Sequence, residues 1–181
     1  DIETLNQAAL KGVYELTAIS YYAYPFISQQ YALLSCGSSV GQKYGPVVVS
    51  KKPLTQNQLD QGPIAIPGER TTAALALKLW LPSAKTVVMP FDAIIDAVQQ
   101  ESVVAGVLIH EGQLTYERQG LHKIWDAGQW WHAKTGLPLP LGLDVVRMDL
   151  GEALARQISQ ALRESILYAQ KNKDKAQPAA S

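Results

Sequence analysis

The chain has 181 residues, and 47% of them are hydrophobic, which is enough to fill the core of one domain or of two small lobes. Its 16 basic residues balance its 16 acidic ones, and no apolar run approaches the roughly 20 residues that span a bilayer, so we expect no nucleic-acid or membrane partner. Cys36 is the only cysteine, which excludes an intrachain disulfide and a thiolate-rich metal site and permits a reduced compartment.

Short elements are predicted at the start of the chain. Residues 4–12 have helical spacing that ends at a glycine, and residues 16–20 predict a strand with Ser20 at its end. Ser20 can therefore hydrogen-bond a ligand oxygen, although a serine in this position more often caps the segment that follows it. The β-branched run in residues 45–50 predicts another strand, and the polar stretch of residues 51–62 predicts a boundary between lobes.

A strand, a glycine turn and a helix are predicted in residues 64–80. Thr71 and Thr72 precede an alanine- and leucine-rich run that favours a helix. The free backbone N–H groups of a helix start, together with two hydroxyls, suit a carboxylate or another anionic oxygen. Either threonine can instead be an ordinary N-cap, and the two roles are compatible if one threonine caps while the other faces a ligand.

The most informative stretch is residues 103–116, VVAGVLIHEGQLTY. Its apolar run predicts a strand buried on both faces, and His110 follows where that strand ends. Ligands of open α/β sheets bind beyond the carboxyl ends of the strands, so His110 is the leading catalytic candidate. The alternative is a strand-end histidine that hydrogen-bonds a nearby carbonyl or Glu111. His122 and His132 lack a second histidine at ligand spacing, so we expect no metal site.

The alternation of helices and strands predicts an α/β fold with a largely parallel, Rossmann-like sheet. Two extended segments, residues 46–50 and 136–146, are predicted to cross between two lobes. The three predicted parts are residues 1–61 (outer lobe and first crossing), 62–135 (middle lobe) and 136–181 (second crossing and return to the outer lobe). In such a hinge-closing fold, the candidate residues would face one cleft. These residues are Ser20, Thr71, Thr72 and His110.

Seven motifs resemble, in order, those of the 1,4-dihydroxy-6-naphthoate synthase family, the cyclic dehypoxanthinyl futalosine lyases of the futalosine route to menaquinone. The likeness runs from Asp1 to about Gln170. The motifs are DIETLN, LTAISYYAY, YGPVVVS, IAIPGERTTAALAL, AGVLIHEGQLTY, the WW pair and TGLPLPLG.

The resemblance implies a fold and a reaction. The fold would be that of a type II periplasmic binding protein with two hinge crossings, used for catalysis in the cytoplasm. The reaction would convert cyclic dehypoxanthinyl futalosine, a small-molecule carboxylate, to 1,4-dihydroxy-6-naphthoate and dihydroxyacetone without a cofactor or metal. The resemblance implies that His110 is the general base. It also implies two sets of substrate contacts, Ala18, Ile19 and Ser20 in the first and Thr72 and Ala73 in the second.

Alternatives to this function are open at the level of sequence. A non-catalytic module of the same fold would bind a carboxylate and close on it, and a sister enzyme would dehydrate chorismate. The family also has a strand and a Ser-Pro-Cys-Pro-Asn-Asp-like turn before the equivalent of Asp1, and helices after the equivalent of Gln170. We therefore expect the chain to be truncated relative to the family, as a fragment, a partner of another segment or an inactive relative.

Overall fold

A computed structural model of the chain describes residues 1–179. The chain forms two β-sheets with helices packed against them. The strands are β1 (Leu16–Ser20), β2 (Tyr31–Leu33), β3 (Ser39–Gly41), β4 (Val47–Ser50), β5 (Ile64–Ile66), β6 (Thr86–Val88), β7 (Ala105–Leu108), β8 (His122–Asp126) and β9 (Leu139–Arg147). The α-helices are α1 (Ile2–Leu10), α2 (Gln56–Leu59), α3 (Thr72–Trp80), α4 (Ile94–Gln99), α5 (Gly112–Thr115), α6 (Ala127–Thr135), α7 (Glu152–Lys171) and α8 (Lys173–Ala179).

The first sheet is built around the long strand β9. Strands β1, β2 and β3 all pair with β9 in the antiparallel direction. Helix α1 packs on β1, and its N-cap Asp1 accepts a hydrogen bond from the N–H of Thr4 at 2.9 Å. A hydrophobic cluster between these elements forms the core of this half of the molecule. Its buried members are Ala9, Ile19, Ala23, Ile27, Tyr31, Leu143 and Val145.

The second sheet has five strands in the order β6-β5-β7-β4-β8. Strands β6, β5 and β7 are parallel, as the alternation of helices and strands predicted. The expectation of a largely parallel sheet is wrong for β4, which is antiparallel to both of its neighbours, β7 and β8. The reason is connectivity, because β4 enters directly from the first sheet and has no preceding crossover helix that would align it with β5.

Strand β7 lies in the middle of the second sheet and is buried along its whole length. Ala105 and Val107 face the cluster that includes α3, whereas Leu108 faces the cluster that includes α4. A strand with apolar contacts on both faces needs the continuous apolar run that this sequence has. The end of β7 is therefore held in place by packing on both faces of the sheet.

The long helix α7 follows β9 after a short turn. Its apolar residues recur at helical spacing on one face, yet no residue of α7 is buried. Within residues 1–179, no helix has both the length and the apolar character that crossing a membrane requires.

The segment that leads from the first sheet into β4 packs directly on the backbone of α6. Gly128, in the first turn of α6, contacts the carbonyl group of Tyr44, and a Cβ atom at Gly128 would overlap that group. The N–H of Gly128 is held by the N-cap Asp126 at 3.0 Å, so α6 cannot shift freely to make room. This contact fixes the chain between the two sheets.

We predict that Gly128→Ala lowers the free energy of unfolding by about 2 kcal/mol, because overpacking against backbone outweighs the helix propensity of alanine. Chemical denaturation with urea measures this change. Gly112→Ala is the matched control, since a Cβ there would lie 3.5 Å from the nearest atom, in Leu108, which is ordinary contact. Equal stability of the two variants would contradict the tight packing of Tyr44 on Gly128.

Candidate functional site

A cavity of about 370 Å³ opens between the two sheets, and we call it the cleft. The end of β1, the middle of β9, the start of α3 and the end of β7 form its walls. The structure brings all seven predicted site residues to these walls, although their roles toward a ligand stay predictions. They are Ala18, Ile19, Ser20, Thr71, Thr72, Ala73 and His110.

Two other cavities are similar to the cleft in volume or larger. One, of about 360 Å³, lies beside α3 with Glu69 and Lys78 in its wall, and a wider one, of about 600 Å³, lies along α1. Neither contains a predicted site residue. The cleft is the stronger candidate because it lies between the sheets and combines an imidazole, a carboxyl group and a helix start.

Ser20 is held at the end of β1 by Asn6, a residue that the sequence analysis missed. The N–H of Ser20 donates to Asn6 Oδ1 at 2.9 Å, and Asn6 Nδ2 donates to Ser20 Oγ at 3.3 Å. Ser20 is the N-cap residue of the short 3₁₀ helix Tyr21–Phe26, as the alternative interpretation expected, but its hydroxyl makes no capping bond. The sequence shows only two adjacent amides, Asn6 and Gln7, beside the apolar stripe of α1, and the tertiary structure is needed to show that Asn6 has Ser20 as its partner.

The two threonines at the start of α3 have different structural roles. Thr71 is the N-cap, since its Oγ1 accepts from the N–H of Ala74 at 3.1 Å and donates to the C=O of Gly68 at 2.8 Å. Thr72 Oγ1 donates to the C=O of Leu141 in β9 at 2.9 Å, which ties the helix to the first sheet. Neither hydroxyl proton is left for a ligand in this arrangement.

The backbone at the start of α3 keeps its capacity to bind an anion. The N–H groups of Thr72 and Ala73 are in the first turn of the helix, where intrahelical acceptors do not reach. Both residues line the cleft. The positive end of the helix dipole therefore lies in the wall, and it favours a carboxylate or another anionic oxygen there.

His110 follows β7, as predicted, although β7 ends at Leu108 rather than at Ile109, and its side chain is exposed in the cleft. Its φ of +53° is in the left-handed region, which costs a non-glycine residue roughly 1 kcal/mol or more. The imidazole meets the ring of Phe91 edge-on, with centroids 5.3 Å apart. The C=O of Glu111 accepts from Thr115 Oγ1 at 3.2 Å rather than from the histidine. The geometry thus leaves the imidazole available to a ligand.

Asp144 in β9 is a second residue that the sequence analysis missed. It lies opposite Ala18 of β1 and lines the cleft. Gly37 packs against its carboxylate so closely that a Cβ atom at Gly37 would overlap it. Burial raises the pKa of the Asp144 carboxyl above its ordinary value. A sequence pattern could not find this residue, because its surroundings come from a loop more than a hundred positions away.

Within residues 1–179, no group of three or more histidine, cysteine, aspartate or glutamate side chains has an arrangement that could hold a metal ion.

We predict that Asp144→Asn stabilises the protein at pH 7 and has a smaller effect near pH 3. The raised pKa means that the folded state binds the proton more tightly, so the wild type loses stability as pH rises through the acid range, whereas asparagine does not titrate. Thermal unfolding between pH 3 and pH 7 measures the difference.

Glu101→Gln is the control for this experiment, because its effect on stability should change with pH in the opposite direction. Ion pairs with Lys51 and Lys52, at 3.1 and 3.3 Å, lower the pKa of Glu101, so its contribution is present near neutral pH and is lost as pH falls. The same pH trend for both variants, relative to the wild type, would contradict the assignment of a desolvated carboxyl to Asp144.

Comparisons with known proteins agree on one family. The family model described as "Menaquinone biosynthesis" matches residues 1–181. A 1,4-dihydroxy-6-naphthoate synthase from Thermus thermophilus is 43% identical over 169 residues, which are 93% of this chain and 61% of that protein. A crystal structure of a protein from Archaeoglobus fulgidus is 49% identical, with a TM-score of 0.91, over 97% of this chain and 66% of that one.

A more distant solved structure identifies the fold. The alkanesulfonate-binding protein SsuA from Xanthomonas axonopodis pv. citri is 13% identical and has a TM-score of 0.71 over 97% of this chain and 63% of that one. The predicted α/β fold of the periplasmic-binding-protein type is confirmed, with one antiparallel and one mixed sheet. The chain spans less than two thirds of the length of the Thermus protein. Its match to the family model along the whole sequence shows that the chain belongs to the menaquinone biosynthesis family.

Proposed function

We propose that this chain contains the substrate cleft of a 1,4-dihydroxy-6-naphthoate synthase, a lyase that converts cyclic dehypoxanthinyl futalosine to 1,4-dihydroxy-6-naphthoate and dihydroxyacetone. The relative of that name from Thermus thermophilus supports the reaction. The single observation that carries the proposal is that His110 shares one cleft with the start of α3. An imidazole for proton transfer and backbone amides for a carboxylate are the two kinds of group that this reaction needs.

The chemistry begins with the imidazole of His110 as general base. It takes a proton from a carbon atom of the substrate, and the electron pair of that C–H bond becomes part of the aromatic ring of the product. The bond to the three-carbon fragment breaks, and that fragment takes up one proton as it leaves as dihydroxyacetone. One proton is removed and one is returned, so the reaction balances without an oxidant or another co-reactant.

The start of α3 gives the cleft a way to orient the substrate. The N–H groups of Thr72 and Ala73 face the carboxylate of the substrate in this proposal, and the end of β1 at Ser20 forms another part of the wall. The capping bond of Thr71 and the bond of Thr72 to Leu141 hold these amides rigidly. A carboxylate bound there would fix the distance between the reacting carbon and His110.

A second candidate function is a carboxylate-binding module that performs no reaction. The likeness to the alkanesulfonate-binding protein SsuA favours it, because a fold of that type serves binding in that protein. Both functions use the start of α3, but only catalysis requires His110. The role of this histidine therefore separates the two.

We predict that His110→Ala and His110→Gln lower kcat by about 100-fold or more, because general-base catalysis contributes that much, while KM changes little. The assay follows product formation by mass spectrometry from cyclic dehypoxanthinyl futalosine, with chorismate supplied in parallel. It uses the chain itself and a chimera in which the chain replaces the matched part of the Thermus thermophilus relative.

The matched control is His122→Gln, since His122 is exposed on β8 and lies outside the cleft. Full turnover by the His110 variants would remove His110 from the mechanism. Binding of the substrate without any product, in both the chain and the chimera, would favour the binding module, and dehydration of chorismate would replace the proposed reaction.

A further inference from the structure

We propose that Gln113 is a positioning residue, whose carboxamide fixes the backbone of His110 at the wall of the cleft. This inference rests on the proposed function in one respect, namely that His110 is the base. Gln113 was not singled out by the sequence, and it lines the same cleft.

The register between β4 and β7 brings Gly45 close to His110. Val47 lies opposite Leu108 in this antiparallel pair, so a ladder continued by two residues would place Gly45 opposite His110. The ladder stops before that point, because the positive φ of His110 turns the chain out of the extended conformation. The peptide groups of Gly45 and His110 are therefore not joined as strand partners.

The carboxamide of Gln113 occupies the gap that this turn leaves. With the amide assigned so that both contacts are satisfied, its nitrogen donates to the C=O of Gly45 at 2.6 Å and its oxygen accepts from the N–H of His110 at 3.1 Å. The backbone N–H of Gln113 also donates to the C=O of His110 at 3.2 Å. One residue thus holds both the N–H and the C=O of the candidate base.

The anchor at the other end of this bridge is rigid. Gly45 is buried in the segment that enters β4, and a Cβ atom there would lie 2.9 Å from Leu139 and 3.0 Å from the nitrogen of Gly128. The C=O of the next residue, Pro46, accepts from the N–H of Ala127 at 2.9 Å. Gln113 therefore ties His110 to a closely packed part of the chain.

The position of the imidazole follows from this backbone. A residue with φ of +53° directs its side chain differently from a residue that continues the strand, and here the ring meets the edge of Phe91 at an interplanar angle of 75°. Loss of the bridge would let the backbone relax toward negative φ and would move the imidazole relative to the cleft. A displacement of that kind is enough to impair proton transfer.

The first test is structural and needs no turnover. Gln113→Met removes both side-chain hydrogen bonds and keeps a similar unbranched shape. The chain has only three histidines, so the imidazole NMR signals of His110 can be assigned by comparison with His110→Gln. We expect Gln113→Met to shift the signals of His110, whose ring lies against Phe91, and to leave those of His122 and His132 in place.

Gln129→Met is the matched control, because Gln129 is an exposed residue in the first turn of α6 and lies outside the cleft. It should leave the signals of His110 unchanged. His110 signals that do not move in Gln113→Met would overturn the positioning role, whatever the activity of the protein.

The second test is kinetic and uses the chimera with the Thermus thermophilus relative. We expect Gln113→Met to lower kcat by about 10- to 100-fold with little change in KM or in the melting temperature. In a His110→Ala background the same substitution should have no further effect, since a positioning residue acts through the residue that it holds. An equal loss in both backgrounds would overturn the inference.

The two tests distinguish the positioning role of Gln113 from the proposed lyase activity, because the NMR signals do not depend on turnover. Shifted His110 signals in a chimera that forms no product would support the positioning role and count against the lyase. His110 signals that do not shift in Gln113→Met, together with normal product formation by the chimera, would support the lyase and count against the positioning role.

Discussion

The cleft depends on a small number of hydrogen bonds that join the two sheets across it. The hydroxyl of Thr72 reaches the C=O of Leu141, and the amide of Asn6 contacts both Ser20 and the C=O of Arg70. Asn6 and Thr72 are buried, which limits the competition of water for these bonds. A buried polar group without its partner would be costly, and these bonds therefore favour one separation of the sheets. The walls of the cleft are placed by this constraint.

The electrostatics of the cleft are uneven, and this matters for a charged ligand. The first turn of α3 attracts negative charge, whereas Asp144 is a carboxyl group whose ionised form is disfavoured by burial. An anionic group is therefore bound best near Thr72 and Ala73. A ligand hydroxyl or another neutral group is the better match for the wall at Asp144. The cleft suits an asymmetric molecule with one carboxylate and a polar, uncharged remainder, which agrees with the proposed substrate class.

The elements that local sequence signals describe were predicted well. The apolar run before His110, the small and polar residues that end β1, and the threonines before an alanine-rich helix each have a local cause. Their meeting in one cleft followed from the rule that ligands bind at the carboxyl ends of strands. The family resemblance supplied Ala18, Ile19 and Ala73, whose side chains carry no polar group that a sequence argument could use.

The remaining features depend on contacts between distant parts of the chain. The direction of β4 is set by its entry from the first sheet, and Thr72 bonds to a carbonyl 69 residues away. Asn6 and Asp144 acquire their roles only when α1 packs on β1 and the loop at Gly37 reaches β9. Gln113 is close to His110 in sequence, but its second partner, Gly45, is not. No periodicity or local propensity encodes such pairs.

The conformation of His110 bears on the choice between binding and catalysis. A binding module needs rigid donors for its ligand, and the start of α3 provides them without any strained residue. A non-glycine residue in the left-handed region persists only where its surroundings determine it. Here the surroundings are the Gln113 carboxamide, the Phe91 ring and the packed segment at Gly45. In the proposed reaction the position of the base affects the rate, so this support for the imidazole of His110 suits proton transfer.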